Sequence, residues 1–332
     1  MQGLILAGGK GTRLRPLTVH TPKPVVLVAN RPFLLYQIEF LRSAGIREIT
    51  LSLSYLPEKI VQLLGDGSDY AVKLTYVTEP SPMGTAGAYR YAVGDIKDTT
   101  VVLNGDILTD VRLSKIIEFH NNRKAAATIS LRSVPNPEIY GLVETGDDES
   151  VKRFIEKPKP EELSRLTTDK INAGIYILEP EILDLIPVGE NRSFEYDVFP
   201  QILSSKLPFY AFDLRDKYWR DIGNPKSYLE ANMDILAGVL RVEFSVQENL
   251  IAPDCTIKPG ASVTNSVLGV GVHVEEKTVI ENSVVWPHTR IAAGSHVSGA
   301  VIGRGCHVGR NVTIKPGAVL GDKASIPDHS HF

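Results

Sequence analysis

A chain of 332 residues is long enough to bury two separate cores. With 43% hydrophobic residues and a net charge of −3, it lacks the basic excess that recruits nucleic acid or an acidic membrane surface. No stretch approaches the ~18 apolar residues of a membrane helix, and Leu4 to Ala7 is far shorter than a signal-peptide core, so a cytoplasmic enzyme is the expectation.

Up to residue 237, apolar strands alternate with amphipathic segments. Leu4 to Ala7, Glu48 to Leu53, Leu74 to Val77 and Thr100 to Leu103 read as buried strands. Pro32 to Ala44, with Leu34, Leu35, Ile38 and Leu41 on one face and Gly45 as its stop, reads as a helix. That alternation implies an α/β fold with a mainly parallel sheet, whose ligands bind beyond the carboxyl ends of the strands. The motifs fall there. The first strand runs into Gly8-Gly9-Lys10-Gly11-Thr12-Arg13-Leu14, then Pro22-Lys23-Pro24. Glycines let backbone N–H groups approach phosphate, and Lys10, Arg13, Arg15 and Lys23 concentrate positive charge beside them. The loop is neither a dinucleotide fingerprint nor a Walker loop, and by glycine content alone it reads equally as phosphate-binding or as a surface loop. Glu79 follows the third strand in Glu79-Pro80-Ser81-Pro82-Met83-Gly84-Thr85, and Asp106 follows the fourth in Asn104-Gly105-Asp106. Asp221 stands in Trp219-Arg220-Asp221-Ile222-Gly223. Two carboxylates suit Mg²⁺ if they converge; a lone Asp is more ordinarily a turn or cap residue.

A linker, 238–250, leads into a repeat. Ile251, Leu268, Val285 and Ile302 stand 17 residues apart, as do Ile257, Val274, Ile291 and Val308. Three hexads, the third shortened by one residue, make one triangular coil, so 251–332 is predicted to be a solenoid of stacked parallel strands with its tail, Gly321 to Phe332, over one end. Cys255 and Cys306 lie three coils apart, about 14 Å, which excludes a disulfide between them.

Together, Gly8 to Leu14, Pro22-Lys23-Pro24, Asn104-Gly105-Asp106, Glu156-Lys157-Pro158, Asn172-Ala173-Gly174 and Asp221-Ile222-Gly223 resemble the sugar-1-phosphate nucleotidyltransferases. The wording Lys170 to Leu178, followed by Asp197-Val198-Phe199-Pro200, is most similar to the mannose-1-phosphate guanylyltransferases. The resemblance implies a Rossmann-like nucleotidyltransferase domain over 1–237 and, over 251–332, a left-handed parallel β-helix of hexapeptide repeats.

The resemblance also implies the roles. Leu6, Gly8, Gly9, Gly11, Thr12, Glu79, Gly84, Thr85 and Asn104 would bind the nucleotide, while Arg13, Lys23 and Lys157 would neutralise phosphate charge as the catalytic cations. Gly141, Glu156 and Asn172 would hold the sugar, and Asp106 and Asp221 would bind Mg²⁺. The implied reaction joins a sugar 1-phosphate to a nucleoside triphosphate and releases pyrophosphate. An ionised Glu79 only accepts hydrogen bonds, which complements the adjacent N1–H and 2-amino donors of guanine and opposes thymine or uracil, provided that Glu79 faces the base. GTP and mannose 1-phosphate are the expected partners, with UDP-glucose or dTDP-glucose synthesis as the neighbouring alternative. Nucleic acid and membrane partners are not expected. A homodimer or higher homo-oligomer through the β-helix is. Two other classes remain on sequence grounds: a β-helix acyltransferase using His273, His288, His296 or His307, and a non-catalytic regulatory paralogue.

Overall fold

The computed structural model describes residues 1–163, 168–242 and 244–332; residues 164–167 of the predicted catalytic domain and residue 243 of the predicted linker lie outside the described set. Two compact units emerge: Met1–Gly9 with Tyr36–Trp219, and Lys10–Leu35 with Arg220–Phe332.

The first unit is built on a nine-stranded sheet: β1 Gln2–Leu6, β2 Glu48–Leu53, β3 Lys73–Thr78, β4 Thr100–Asn104, β5 Ala127–Ser133, β6 Gly141–Thr145, β7 Val151–Glu156, β8 Lys170–Leu178 and β9 Phe209–Asp213. The order is β7-β6-β8-β4-β1-β2-β3, with β5 on β8 and β9 on β5. Strands β1 to β4 pair in parallel, as their alternation with helices requires. Beyond β4 the sheet is mixed: β8 runs antiparallel to β4 and β5, and β6 and β7 form an antiparallel pair. Helix α1, Phe33–Ser43, ends before Gly45, whose φ of 85° is the left-handed stop expected of that glycine. Leu41 of this helix lies so close to Gly3 that an added Cβ there would be 2.8 Å from Leu41 Cδ1. The core beside the sheet is aromatic: Tyr89, Phe154, Tyr176, Phe194, Phe199 and Phe209 are buried together, Phe194 and Phe199 stacking at 5.6 Å. Each such ring contributes on the order of 1.5–3 kcal/mol by burial. The cluster closes the unit from β7 round to the segment 194–205.

In the second unit, strands of two or three residues stack in parallel into sheets of five, five and four strands. The predicted inward aliphatics pair in register, Ile251 with Leu268, Leu268 with Val285 and Val285 with Ile302, and Leu268 to Leu320 line a continuous buried core. Left-handed backbone recurs at the corners, at Asp254, Gly260, Asn265, Gly271, Lys277 and Asn282 and onward to His329. At the tight corner Asn265 donates to Asn282 at 2.7 Å, one coil on. The final coil departs from the 17-residue period: Ile302 pairs with Leu320 and Val308 with Ile326, 18 residues on, because the last corner keeps the residue that earlier third hexads drop. The tail then takes the next place in the four-stranded sheet, Thr313 N donating to Ser330 O at 2.9 Å and Phe332 N to Thr313 O at 2.8 Å. Those backbone groups would otherwise form an open edge. Both cysteines are free thiols whose sulfurs face the carbonyls of Gly269 and Gly321, each at 3.1 Å.

Candidate active site

The carboxyl ends of β1, β2, β3 and β4 deliver Leu6 to Gly9, Ser52 to Ser54, Glu79 and Asn104 to Asp106 to one edge of the sheet. Leu6 is flanked by Ser52 on one side and Asn104 on the other, and its carbonyl accepts from Gly105 N at 3.0 Å. A Cβ on Gly105 would stand 2.4 Å from that same oxygen, so only glycine lets the Asn104–Asp106 turn close against β1.

The sequence leaves open which way Glu79 points. Its carboxylate faces the glycine loop: a Cβ on Gly8 would lie 2.5 Å from Glu79 Oε1. Ser52 Oγ donates to Oε1 at 3.1 Å and Met83 N to Oε2 at 3.2 Å, while Ser54 donates to the Gly8 carbonyl. Gly9 has open space around its α-carbon. Glu79 is thus a fixed acceptor beside the first loop glycine.

Asn172 and Gly174 form a bulge in β8, where pairing with β5 skips from Asn172 to Tyr176. Gly174 adopts φ 72°, and a Cβ there would meet Asn104 Nδ2 at 2.8 Å. The bulge brings Asn172 and Asn104 to one point, the hydroxyl of the buried Tyr176, to which they donate at 2.8 and 3.4 Å. Asn104 Oδ1 is itself buried without a partner among the described residues. Gly141 and Glu156 are cross-strand neighbours, and a Cβ on Gly141 would sit 2.5 Å from Glu156 Oε2. Burial first, then the Glu195 carboxylate, raise Glu156 to about 7, against a smaller opposing effect of Lys157. Lys157 adopts a left-handed φ of 45° and its exposed ammonium lies 3.9 Å from Glu156 Oε1.

Sequence reasoning missed Glu195 and Tyr176. Glu195 Oε2 accepts from Thr85 Oγ1 at 2.8 Å and Ser193 Oγ at 2.6 Å, and Tyr176 OH lies 3.5 Å from Oε1. Thr85 also accepts from Phe194 N at 2.8 Å, so its hydroxyl is committed to this turn, leaving its backbone for any nucleotide contact. Gly84, at φ 70°, packs against the same turn, where a Cβ would be 2.4 Å from Arg192 O. The one signal for Glu195 in the sequence is Ser193 two residues earlier, which reads as a helix cap and does cap this turn.

The remaining predicted residues belong to the second unit. Gly11, at φ 60°, packs its α-carbon against Lys23 and Thr18, an added Cβ lying 3.0 Å from Lys23 Cβ, and Thr18 Oγ1 donates to Gly11 O at 2.7 Å. Lys23 is buried, whereas Thr12 and Arg13 are exposed. Arg13 and Asp221 converge over Gly223, where a Cβ would lie 3.3 Å from Arg13 Nη2 and 2.9 Å from Asp221 Oδ2. The loop-bearing segment is bonded to the rest of this unit: Ala29 N donates to Asn232 Oδ1 at 2.7 Å and Asn30 Nδ2 to Leu268 O at 2.7 Å. Tyr228 OH bonds Leu27 O and accepts from the buried Trp286 Nε1 at 2.9 Å. His273, His288, His296 and His307 are all exposed.

No helix among the described residues is long and apolar enough to cross a membrane. Residues 2–238 match the nucleotidyl transferase family, and residues 232–332 match the left-handed β-helix (LbH) domain of the EIF2B epsilon subunit. The chain is 34% identical over 290 residues to a mannose-1-phosphate guanylyltransferase of Mycobacterium tuberculosis, covering 86% of this chain and 79% of that one. It is 42% identical over 234 residues to a mannose-1-phosphate guanyltransferase of Yarrowia lipolytica, covering 69% of this chain and 62% of that one. A crystal structure from Bacillus anthracis, assigned as a glucose-1-phosphate thymidylyltransferase, superposes with a TM-score of 0.64 at 25% identity, over 74% of this chain and 97% of that one. A match over nearly all of the first 238 residues, with the sheet-edge motifs in family order, places the chain in the nucleotidyl transferase family.

Proposed function

We propose that the chain transfers a guanylyl group from GTP to mannose 1-phosphate, giving GDP-mannose and pyrophosphate. Supporting the sugar is the identity of 34–42% to mannose-1-phosphate guanylyltransferases. The observation that carries the base is Glu79, an acceptor fixed against Gly8 by Ser52 and Met83 N. A carboxylate there accepts from guanine N1–H and N2–H and repels the carbonyl oxygens of thymine and uracil.

In this reading Leu6, Gly8, Gly9, Gly11, Thr12, Gly84, Thr85 and Asn104 hold the nucleotide, and Gly141, Glu156 and Asn172 hold the sugar. A phosphate oxygen of the sugar phosphate attacks the α-phosphorus of GTP; the bond from that phosphorus to the β-phosphate bridging oxygen breaks, and pyrophosphate leaves with its electron pair. The nucleophile is already ionised at neutral pH, so no side chain need remove a proton. Repulsion between anions is the barrier, and Arg13, Lys23 and Lys157 lower it by charge and position. Asp106 and Asp221 would supply the hard carboxylate oxygens that Mg²⁺ prefers. When bound, the ion neutralises charge on the triphosphate. The catalytic domain is assigned to 1–237, the linker to 238–250 and the β-helix to 251–332, with assembly as at least a homodimer through the β-helix. Light scattering on the full-length protein at micromolar concentration tests assembly, and a monomer overturns it.

The thymidylyltransferase likeness favours one second reading, synthesis of dTDP- or UDP-glucose on the same scaffold. A pyrophosphate-release matrix of four nucleotides against mannose and glucose 1-phosphates decides between them. GTP with mannose 1-phosphate should give the highest kcat/KM, and any other best pair overturns the assignment.

A further inference from the structure

The apolar stripe of α1 is interrupted. Leu34, Ile38 and Leu41 are fully buried, and Gln37, which stands among them at helical spacing, is only 3% exposed. An amide in that position costs free energy unless its groups are bonded, and leucine or methionine would fill the same space without that cost. Gln37 also lies outside every motif that carries the family resemblance.

The amide is used from one end. Nε2 donates to Asn104 O at 2.8 Å and to Ile107 O at 3.3 Å, whereas Oε1 is buried without a partner among the described residues. An orphaned acceptor of this kind costs about 1–3 kcal/mol, so the residue is a poor choice for packing alone. What the nitrogen holds explains it. The two carbonyls flank Gly105-Asp106, the turn at the carboxyl end of β4. Asn104 O also accepts from Asp106 N at 2.8 Å, and Gly105 N donates to Leu6 O at 3.0 Å. Strand β1 thus holds the turn through Gly105, and α1 grips it on both sides of Asp106. Two carbonyl oxygens that meet on one side of a turn repel each other unless a donor stands between them, and the two hydrogens of one amide nitrogen supply that donor.

We propose that Gln37 is a positioning residue for the transfer reaction: by holding the carbonyls of Asn104 and Ile107 together, it sets the direction in which Asp106 presents its carboxylate. This rests on the reading of Asp106 as a Mg²⁺ ligand in nucleotidyl transfer. The test compares the full-length wild type with Gln37→Met, which is similar in length, fills the stripe and cannot donate. Mn²⁺ is the probe, titrated by electron paramagnetic resonance against protein and GTP without sugar phosphate. Mn²⁺ binding should weaken about tenfold or more in the variant, and kcat should fall by a similar factor, as when the support of a metal ligand is lost. KM for the sugar 1-phosphate should stay within about twofold of the wild type. The melting temperature should change little, because methionine removes an orphaned acceptor together with the two bonds. A glutamine of purely structural use would give the reverse, a lower melting temperature with Mn²⁺ affinity intact, and that result would overturn the inference. If Gln37→Met does not fold, Gln37→Asn, which keeps an amide but withdraws it by one methylene, should show the same loss of Mn²⁺ affinity at smaller amplitude. Wild-type Mn²⁺ affinity in the folded variant would refute the role of Gln37 while leaving the proposed function intact. A wild-type protein that forms no nucleotide sugar from any pair would sink both.

Discussion

Replacing Glu79 with Gln changes one atom and reverses one hydrogen-bonding role, and the structure says which. Met83 N can only donate, so the amide must turn its carbonyl to that partner, at the 3.2 Å position now held by Oε2. The amide nitrogen then takes the Oε1 position, beside Ser52 Oγ and Gly8, where the serine hydroxyl can accept as readily as it now donates. The fold should tolerate the change, and its effect falls on the side that faces the glycine loop. There an acceptor becomes a donor. Loss of a charge-assisted hydrogen bond to guanine costs about 1.5–3 kcal/mol, or about 10- to 150-fold in kcat/KM for GTP. A donor facing O4 of thymine or uracil should raise dTTP and UTP turnover. The assay is kcat/KM for GTP, ATP, UTP and dTTP on both proteins, with melting temperatures compared as a control for folding. A variant that keeps the wild-type base ranking would show that Glu79 does not read the base.

Gly141→Ala would place a methyl 2.5 Å from Glu156 Oε2 and 2.8 Å from Phe154 Cζ. A forced shift near 1 Å in a positioning group costs on the order of 100-fold, so kcat/KM for the sugar 1-phosphate should fall by about that factor with nucleotide KM unchanged, measured by steady-state kinetics. Glu156 ionises near 7 in the fold against an ordinary 4.5, so its contribution to stability is complete below pH 4.5 and is lost as pH rises through about 7. Thermal melts should therefore show Glu156→Gln gaining on the wild type across that window; a pH-independent difference would contradict the burial argument. Tyr228→Phe leaves the indole N–H of Trp286, which is 1% exposed, without its partner and should cost about 1–3 kcal/mol in chemical denaturation. Because Leu27 O bonds the same hydroxyl, nucleotide KM should rise as the loop-bearing segment loosens.

The β-helix is written in the sequence because each coil from Leu268 on buries one aliphatic side chain per wall, while Ile251 and Ile257 of the first coil keep the repeat but remain exposed, and a repeating geometry forces a repeating residue type. Ile251 to Ile302 therefore announce it without a partner elsewhere in the chain, and even the extra residue in the last coil can be counted from Ile314 to Leu320. The parallel half of the sheet was legible for a local reason too, since β1 and β4 are apolar runs that lead into glycine-bearing motifs and β1 to β4 are separated by amphipathic segments. The antiparallel half was not: β8 joins β4, β5 and β6 through register and a bulge, which depend on strands distant in the chain. Site residues divide likewise. Gly8 and Gly11 stood out as glycines of the first loop, and Gly141 and Gly174 only through the family resemblance; at each the structure shows close backbone approach or left-handed backbone that demands glycine. The direction of Glu79, the commitment of the Thr85 hydroxyl 110 residues along the chain to Glu195, and the grouping of Lys10–Leu35 with the β-helix unit depend on partners that no local pattern specifies. A polar side chain acquires its role from what stands opposite it, and only the tertiary fold decides that.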